Sequence, residues 1–439
     1  MIFYKYYHVK KLIGLSCILF WSLVLTAQKP VPVKPRILIS TDIGGTDPDD
    51  NQSMIHFLMY SNLFNTEGLI SSPSYGRGTK QNLLDMIALY EKDLPKLEKH
   101  ARGFPSPDAL RAICKQGKQG AAPFAGYTKT TEGSSWIVTC ARKKSSQPLW
   151  VLVWGGLDDL AQALHDAPDI RKKIKVYWIG GPNKKWSANS YAYIVANFSD
   201  LWFIEDNSSY YGFFSNKGMP DSVNTTNYHD QYMAGAGAMG KEFKNYYGGN
   251  VKMGDTPSLL YMMDGDPNNP TKESWGGSFE KFNHSPRLIF NRNTMLADTV
   301  TVCSLLEFHL KGPRLNIPAD SACFTLNVKA GIGEQKWAGY YKGEGEYVVR
   351  YAPKQAETIS YTVTSTLPGF QEQAGQFVVD NEWPGKPGKT NYPLGPDWFT
   401  DRKDPQLYDG KIQGGITIKK WRKEVLRDWA KRWEWLRGE

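Results

Sequence analysis

Strand-like and helix-like stretches alternate from residue 36 to about 205, and this alternation limits the fold more than any other feature of the chain. "RILIST" is followed by "DDNQSMIHFLMYSNLF", "TEGLISSP" by "TKQNLLDMIALYEKDLPKLEKH" and "PLWVLVWGG" by "LDDLAQALHDA"; "KIKVYWIGG" then leads through a loop and a helical piece to "DLWFIED". Short apolar strands separated by helices of this length imply βαβ units and a mostly parallel sheet covered on both faces. Ligands of such sheets bind above the C-terminal ends of the strands.

The texture changes twice downstream. Residues 210–290 are rich in Gly, Asn, Tyr and Pro and read as loops and short helices over the site. From about 295, "DTVTVCSLLEFHL", "ACFTLNVKA", "GEYVVRYAP", "ETISYTVTST" and "GQFVVD" alternate apolar and polar residues between turn signals, the pattern of an immunoglobulin-like β-sandwich. Single cores stop growing at roughly 250 to 300 residues, so 439 residues accommodate two domains. We divide the chain into an α/β domain at 34–294, a smaller all-β sandwich at 295–380, and a segment at 381–439. That last segment is coil-like to about 410 and ends in a helix carrying Trp421, Val425, Trp429 and Trp433 on one face. Docking of this aromatic stripe on the first domain is the preferred reading, and an amphipathic membrane or ligand helix is the alternative.

The N-terminus reads as a secretory signal at 1–27. Lys5, Lys10 and Lys11 precede an apolar run from Leu12 to Leu25, and small residues end at Ala27. The run is shorter than the roughly 18 to 20 residues of a membrane span, so we expect cleavage and a secreted or periplasmic protein; an uncleaved anchor is the alternative. No other stretch is apolar for long enough to span a bilayer. The formal charge of +9 includes those three lysines, and the remaining surplus is dispersed, unlike the clustered footprint of a nucleic-acid binder. Cys114, Cys140, Cys303 and Cys323 form either two sequence-neighbour disulfides or four small buried thiols.

The chemistry concentrates in "ILISTDIGGTDPDDNQS". Asp42, Asp47, Asp49 and Asp50 crowd one turn after a buried strand, where they repel one another unless a cation or shared proton intervenes. Hard carboxylate oxygens suit calcium or magnesium. A helix N-terminus accounts for one or two of these acids, but not for Asp42 at the strand tip. "VLVWGGLDDLAQAL" exposes a strand-end carbonyl at Trp154, and "GDTPSLLYMM" places Asp255 where an ordinary N-cap would stand.

Together, "STDIGGTDPDDNQS", "WGGLDDLA", "NFSDLWFIEDN", "GDTPSLLY" and "WGGSF" resemble the exported nucleoside-hydrolase-like family described as cellulose-binding, which pairs such a domain with an immunoglobulin-like one. The resemblance spans roughly residues 35–290 and resumes at the Trp-rich C-terminus. It implies a calcium ion held by Asp42, Asp50, Asp255 and the Trp154 carbonyl, with Asp42 also the catalytic base and Asp49 a sugar-hydroxyl acceptor. Asn183, Asn189 and Trp275 are the remaining substrate-binding candidates, with Tyr75, Trp186 and Tyr191 as further stacking rings and His229 and His284 as leaving-group acids. The implied substrate is a carbohydrate or glycoside. Departures from the superfamily pattern include a longer acidic turn, Ser40 in place of its first aspartate, and Gly254 where a histidine often stands. The asparagines and glutamate that grip ribose are also missing. The expectation is therefore a calcium-dependent hydrolase of N- or O-glycosidic bonds. A non-catalytic polysaccharide-binding protein is the alternative, favoured by the missing acid and opposed by the retained base.

Overall fold

In the computed structural model of the protein, which describes residues 33–214, 227–331 and 333–437, the run Ile37-Leu38-Ile39 lies mid-sheet and is wholly buried. It belongs to β1 (Arg36–Thr41), one of six parallel strands with β2 (Asn65–Ser71), β3 (Cys114–Gln116), β4 (Leu149–Val153), β5 (Ile174–Ile179) and β6 (Trp202–Asp206). Their spatial order is β3-β2-β1-β4-β5-β6, followed by a parallel strand at Trp398–Asp401 and an antiparallel edge, β7 (Phe279–Lys281). Side chains alternate across the sheet as the pleat requires. Ile37 and Ile39 join a core with helices α1 (Asp49–Tyr60) and α2 (Lys80–His100), while Leu38 joins Ile137, Leu160 and Leu164 on the other face. The sheet grows in opposite directions from β1 and β4, so the crevice above their ends is the topological switch point.

The second face is continuous with the core of an all-β domain. Its sheet of eight strands folds back on itself, bringing Phe308 of Leu305–Lys311 to 5.0 Å from Tyr361 of Thr358–Thr364, ring centre to ring centre, although several strands separate them in the order. The strand Gly333–Gly343 makes the turn, pairing with Ala322–Ala330 along most of its length and with Glu346–Tyr351 at its end.

Four expectations are corrected. The sandwich starts earlier than residue 295, because Arg287–Phe290 pairs in parallel with Leu305–Lys311. "DTVTVCSLLEFHL" is two strands, broken where Cys303 adopts φ +59°. The supposed coil at 381–410 contains Trp398–Asp401, a fully buried strand of the α/β sheet, so the sandwich is an insertion within that sheet. The four cysteines of the described residues are free thiols, which corrects the disulfide alternative; Cys114 and Cys140 donate to the carbonyls of Leu110 and Glu67.

The C-terminal helix Arg422–Arg437 buries Trp429 and Trp433 completely. Trp429 packs against His56 of α1 and Tyr228, with ring centres 5.4 Å away in each case. The basic residues are not all on the solvated side: Arg432 is buried over the Tyr60 ring and donates to Asn62 Oδ1 at 2.9 Å. Tyr60 in turn donates to Asp428 at 2.6 Å. Tyr60→Phe removes a hydrogen bond to a charged group and is expected to cost about 1–2 kcal/mol, read as a lower urea midpoint; an unchanged midpoint would show that this contact does not hold the helix down. Among the described residues no helix is long and apolar enough to cross a membrane. The signal expected at 1–27 lies outside the described residues.

Candidate functional site

β1 delivers Asp42 to the switch point, and the loop after it returns the next acids to the same spot. Gly44 adopts φ +86°, open to glycine at little cost, and Gly45 N–H closes the turn on the Asp42 carbonyl at 3.0 Å. Asp49 and Asp50 occupy the first turn of α1. The buried Thr41 hydroxyl donates to Asp50 Oδ1 and accepts from Ile43 N–H at 3.0 Å, tying strand to helix. From β4, the Trp154-Gly155 turn approaches so closely that a Cβ on Gly155 would lie 2.8 Å from that of Asp42. Asp255 arrives at the start of the helix Thr256–Asp264 but does not cap it.

One carboxylate oxygen from each of Asp49, Asp50 and Asp255 lies within 4.8 Å of the others, and Asp42 is within hydrogen-bond reach of Asp50. Burial pushes Asp42 up to about 7, with the charge of Asp49 adding to it. Burial also holds Asp50 and Asp255 well above the usual carboxylate range, reinforced by Asp42 and Asp50 respectively. Asp255 Oδ2 is buried with no hydrogen-bond partner among the described residues. An orphaned carboxylate oxygen facing like charges is a donor set that fits a hard divalent cation. The Trp154 carbonyl accepts from Asn183 Nδ2 at 2.8 Å and keeps a second lone pair.

These residues line one cavity of about 320 Å³, which includes Asp42, Asp49, Asp50, Trp154, Asn183 and Asp255. The Asn183 amide is committed to the carbonyls of Trp154 and Ile179, so it braces two strand ends. Other candidates fall elsewhere. Asn189 donates to Ala122 O at 2.9 Å and accepts from Arg350, away from the cavity, which corrects its substrate role. Trp275 is also corrected: its ring packs on the core, and Gly276 beside it is pressed against the backbone of Tyr261. Tyr191 is fully buried, bonded to Glu205 and Ser285. Trp186 lines the cavity, but Tyr75 covers one face at 3.9 Å and Trp337 stacks at 4.9 Å, so it has no free face for a sugar. His229 is engaged with Asp230 and Gly240 O, and His284 with Asn283; neither lines the cavity. Nor does Gly254 leave space for a side chain, because its Cβ would sit 2.4 Å from Asp49 Oδ2.

The sequence reading missed the cations. Lys252 pairs with Asp47 and lies 3.4 Å from Asp49 Oδ2; although burial opposes its charge, Asp49 and Asp47 hold its pKa above the usual lysine value. Lys185, Lys354 and Gln335 also line the cavity, the last two from the inserted sandwich. Lys252 stands three residues before Asp255 and was discoverable from that loop; nothing in the sandwich sequence points to the cavity.

Fold and site together define a nucleoside-hydrolase-like protein, with its acids gathered at the ends of β1 and β4. The family model for the cellulose-binding Sde182, nucleoside hydrolase-like domain matches residues 36–279, more than half of the chain, and the protein belongs to that family. A domain of unknown function (DUF5060) matches residues 300–366. Among solved structures, a nucleoside hydrolase-related hypothetical protein from Saccharophagus degradans, associated with carbohydrate metabolism, is 20% identical, with 79% of this chain and 100% of that chain covered and a TM-score of 0.47. The inosine-uridine preferring nucleoside hydrolase from Bacillus anthracis is 15% identical, with coverages of 58% and 87% and a TM-score of 0.36. No curated protein matches the chain.

Proposed function

We propose that the protein is an exported, calcium-dependent hydrolase of glycosidic bonds, acting on a carbohydrate or carbohydrate-containing glycoside. The observation that carries this reading is the cavity itself, on which Asp42, Asp47, Asp49, Asp50 and Asp255 converge, with Asp255 Oδ2 left without a hydrogen-bond partner among the described residues. A carboxylate placed beside a water can take its proton as the water attacks. Asp42 would take the proton of the attacking water as its oxygen bonds to the anomeric carbon. Asp49, one oxygen of which is near Lys252, would accept a sugar hydroxyl. Asp50, Asp255, Asp42 and the Trp154 carbonyl would hold calcium, whose charge supplies water acidification and orientation of the sugar. No histidine lines the cavity among the described residues, so a leaving group that needs protonation would draw its proton from another group of the lining or from solvent.

That lack of a histidine favours a second reading, a binding protein in which the cation only orients sugar hydroxyls, and the family's description as cellulose-binding agrees with it. The deciding experiment follows release of reducing sugar or base from nucleosides, aryl glycosides and plant polysaccharides. Release abolished both by EDTA and by Asp42→Ala is the expected result. Polysaccharide binding with no release from any panel member would establish the binding protein instead.

A further inference from the structure

We propose that the cavity takes a glycoside bearing an anionic substituent, held by Lys185 and Lys354 across the seam between the α/β domain and the sandwich. This rests on the reading of the cavity as a sugar site and narrows its substrate class.

Of the three lysines lining the cavity, Lys252 is committed to Asp47 and Asp49. The other two form no ion pair, although Glu357 raises the pKa of both from beyond ion-pair distance. Lys185, 4% exposed on the short helix Gly181–Trp186, donates to the neutral amide oxygen of Gln335 at 2.6 Å and lies 4.6 Å from the centre of the Trp186 ring. Lys354 follows the sandwich strand Glu346–Tyr351 and is half-buried. Among the described residues neither has a carboxylate within ion-pair distance. The two repel each other: burial first, and then the charge of Lys354, lowers Lys185 to about 7. A buried cation without an ion-pair partner opposes folding, and a ligand anion between the buried Lys185 and the half-buried Lys354 would relieve both.

The seam is held as if to fix this pair. Trp337 of the sandwich donates from its indole nitrogen to the Lys185 carbonyl at 2.8 Å and stacks on Trp186. Acids and unpaired cations thus share one cavity but come from different walls. Hydroxyls belong against the aspartates, where an anion would be repelled, and the anionic group belongs against the lysines. A carboxylate, sulfate ester or phosphate ester satisfies this chemistry; a neutral glucan does not.

The test is calorimetric titration of the full calcium-loaded chain at pH 6, where Lys185 carries its proton, with methyl glucoside, methyl glucuronide, glucose 6-sulfate and glucose 6-phosphate. At least one anionic probe is expected to bind roughly tenfold or more tightly than the glucoside, since charge-assisted contacts are worth that much, and the preferred probe identifies the anion. The preference should fall to about twofold in Lys354→Met and in Lys185→Met. It should survive in Lys336→Met, an exposed neighbour of Gln335 that does not line the cavity. Anionic probes binding no better than the glucoside, or not at all, would overturn the inference, as would a preference indifferent to both lysines. Anion preference without turnover would support it while removing the hydrolase reading; turnover of a neutral glycoside without anion preference would do the reverse.

Discussion

Asp42→Asn is expected to lower turnover by about 10²- to 10⁴-fold, the range assigned to a positioned general base, while raising the thermal stability of the calcium-free protein at pH 8. The amide keeps the shape that fits against Gly155, where the backbones of the two turns nearly touch, but cannot take a proton. The stability half follows from the sign of the shift. A carboxyl lifted from 3.8 to about 7 by burial favours the folded state only when protonated. That contribution is fully present below about pH 4 and is lost as pH rises through 7. Above that pH the folded protein carries a half-buried charge among like charges, and the amide removes it. Activity and stability therefore move in opposite directions, as at other sites that accept strain for function. Thermal unfolding beside a kinetic assay checks both; unimpaired turnover would remove Asp42 from the chemistry.

Calcium is expected to raise the melting temperature by several degrees at pH 8 and far less at pH 5. Free cation at a hundredfold its dissociation constant stabilises a folded protein by about 2.7 kcal/mol. Protons compete for the same oxygens, because Asp42, Asp49, Asp50 and Asp255 all hold protons more tightly than ordinary carboxylates, chiefly through burial. As pH rises through about 7 the metal-free protein loses the stability that protonated Asp42 contributes, and calcium restores it above. Removing the ion with EDTA at pH 8 should reverse the gain. An equal calcium effect at both pH values would place the bound ion somewhere other than this cluster.

The α/β sheet was legible because its signal is local: a buried apolar run, then a helix, repeated. Asp42, Asp49 and Asp50 were legible for the same reason, lying within one turn and the first turn of the next helix. Asp255 was harder, since an aspartate before Thr-Pro looks like an N-cap, and only its orphaned oxygen shows otherwise. Trp398–Asp401 is too short for any period to show and takes its place by pairing with a strand far away in sequence. Gly333–Gly343 mixes glycine, lysine and glutamate with aromatics, so its strand pattern is weak, and it is this strand that carries Gln335 to the cavity. Asn189 failed because polarity says nothing about which face of an element meets the site, and Trp275, singled out by the family resemblance, packs on the core instead. Trp186 shows the same limit in another form: it reaches the cavity, but with both faces already stacked.

The insertion of the sandwich inside the α/β sheet also governs how the chain can be made. The strand at Trp398–Asp401 stands between β6 and β7, and the helix that carries Trp429 comes later still. A ribosome therefore releases the whole sandwich before the sheet can be closed, and the last pairing joins segments of very high sequence separation, the slow kind of contact. Until then the outer edge of β6 is open and β7 has no partner strand, so both can pair with other chains. An expression fragment ending near residue 294 would keep every acid of the cavity and still present that raw edge, so it should aggregate where the full chain stays soluble.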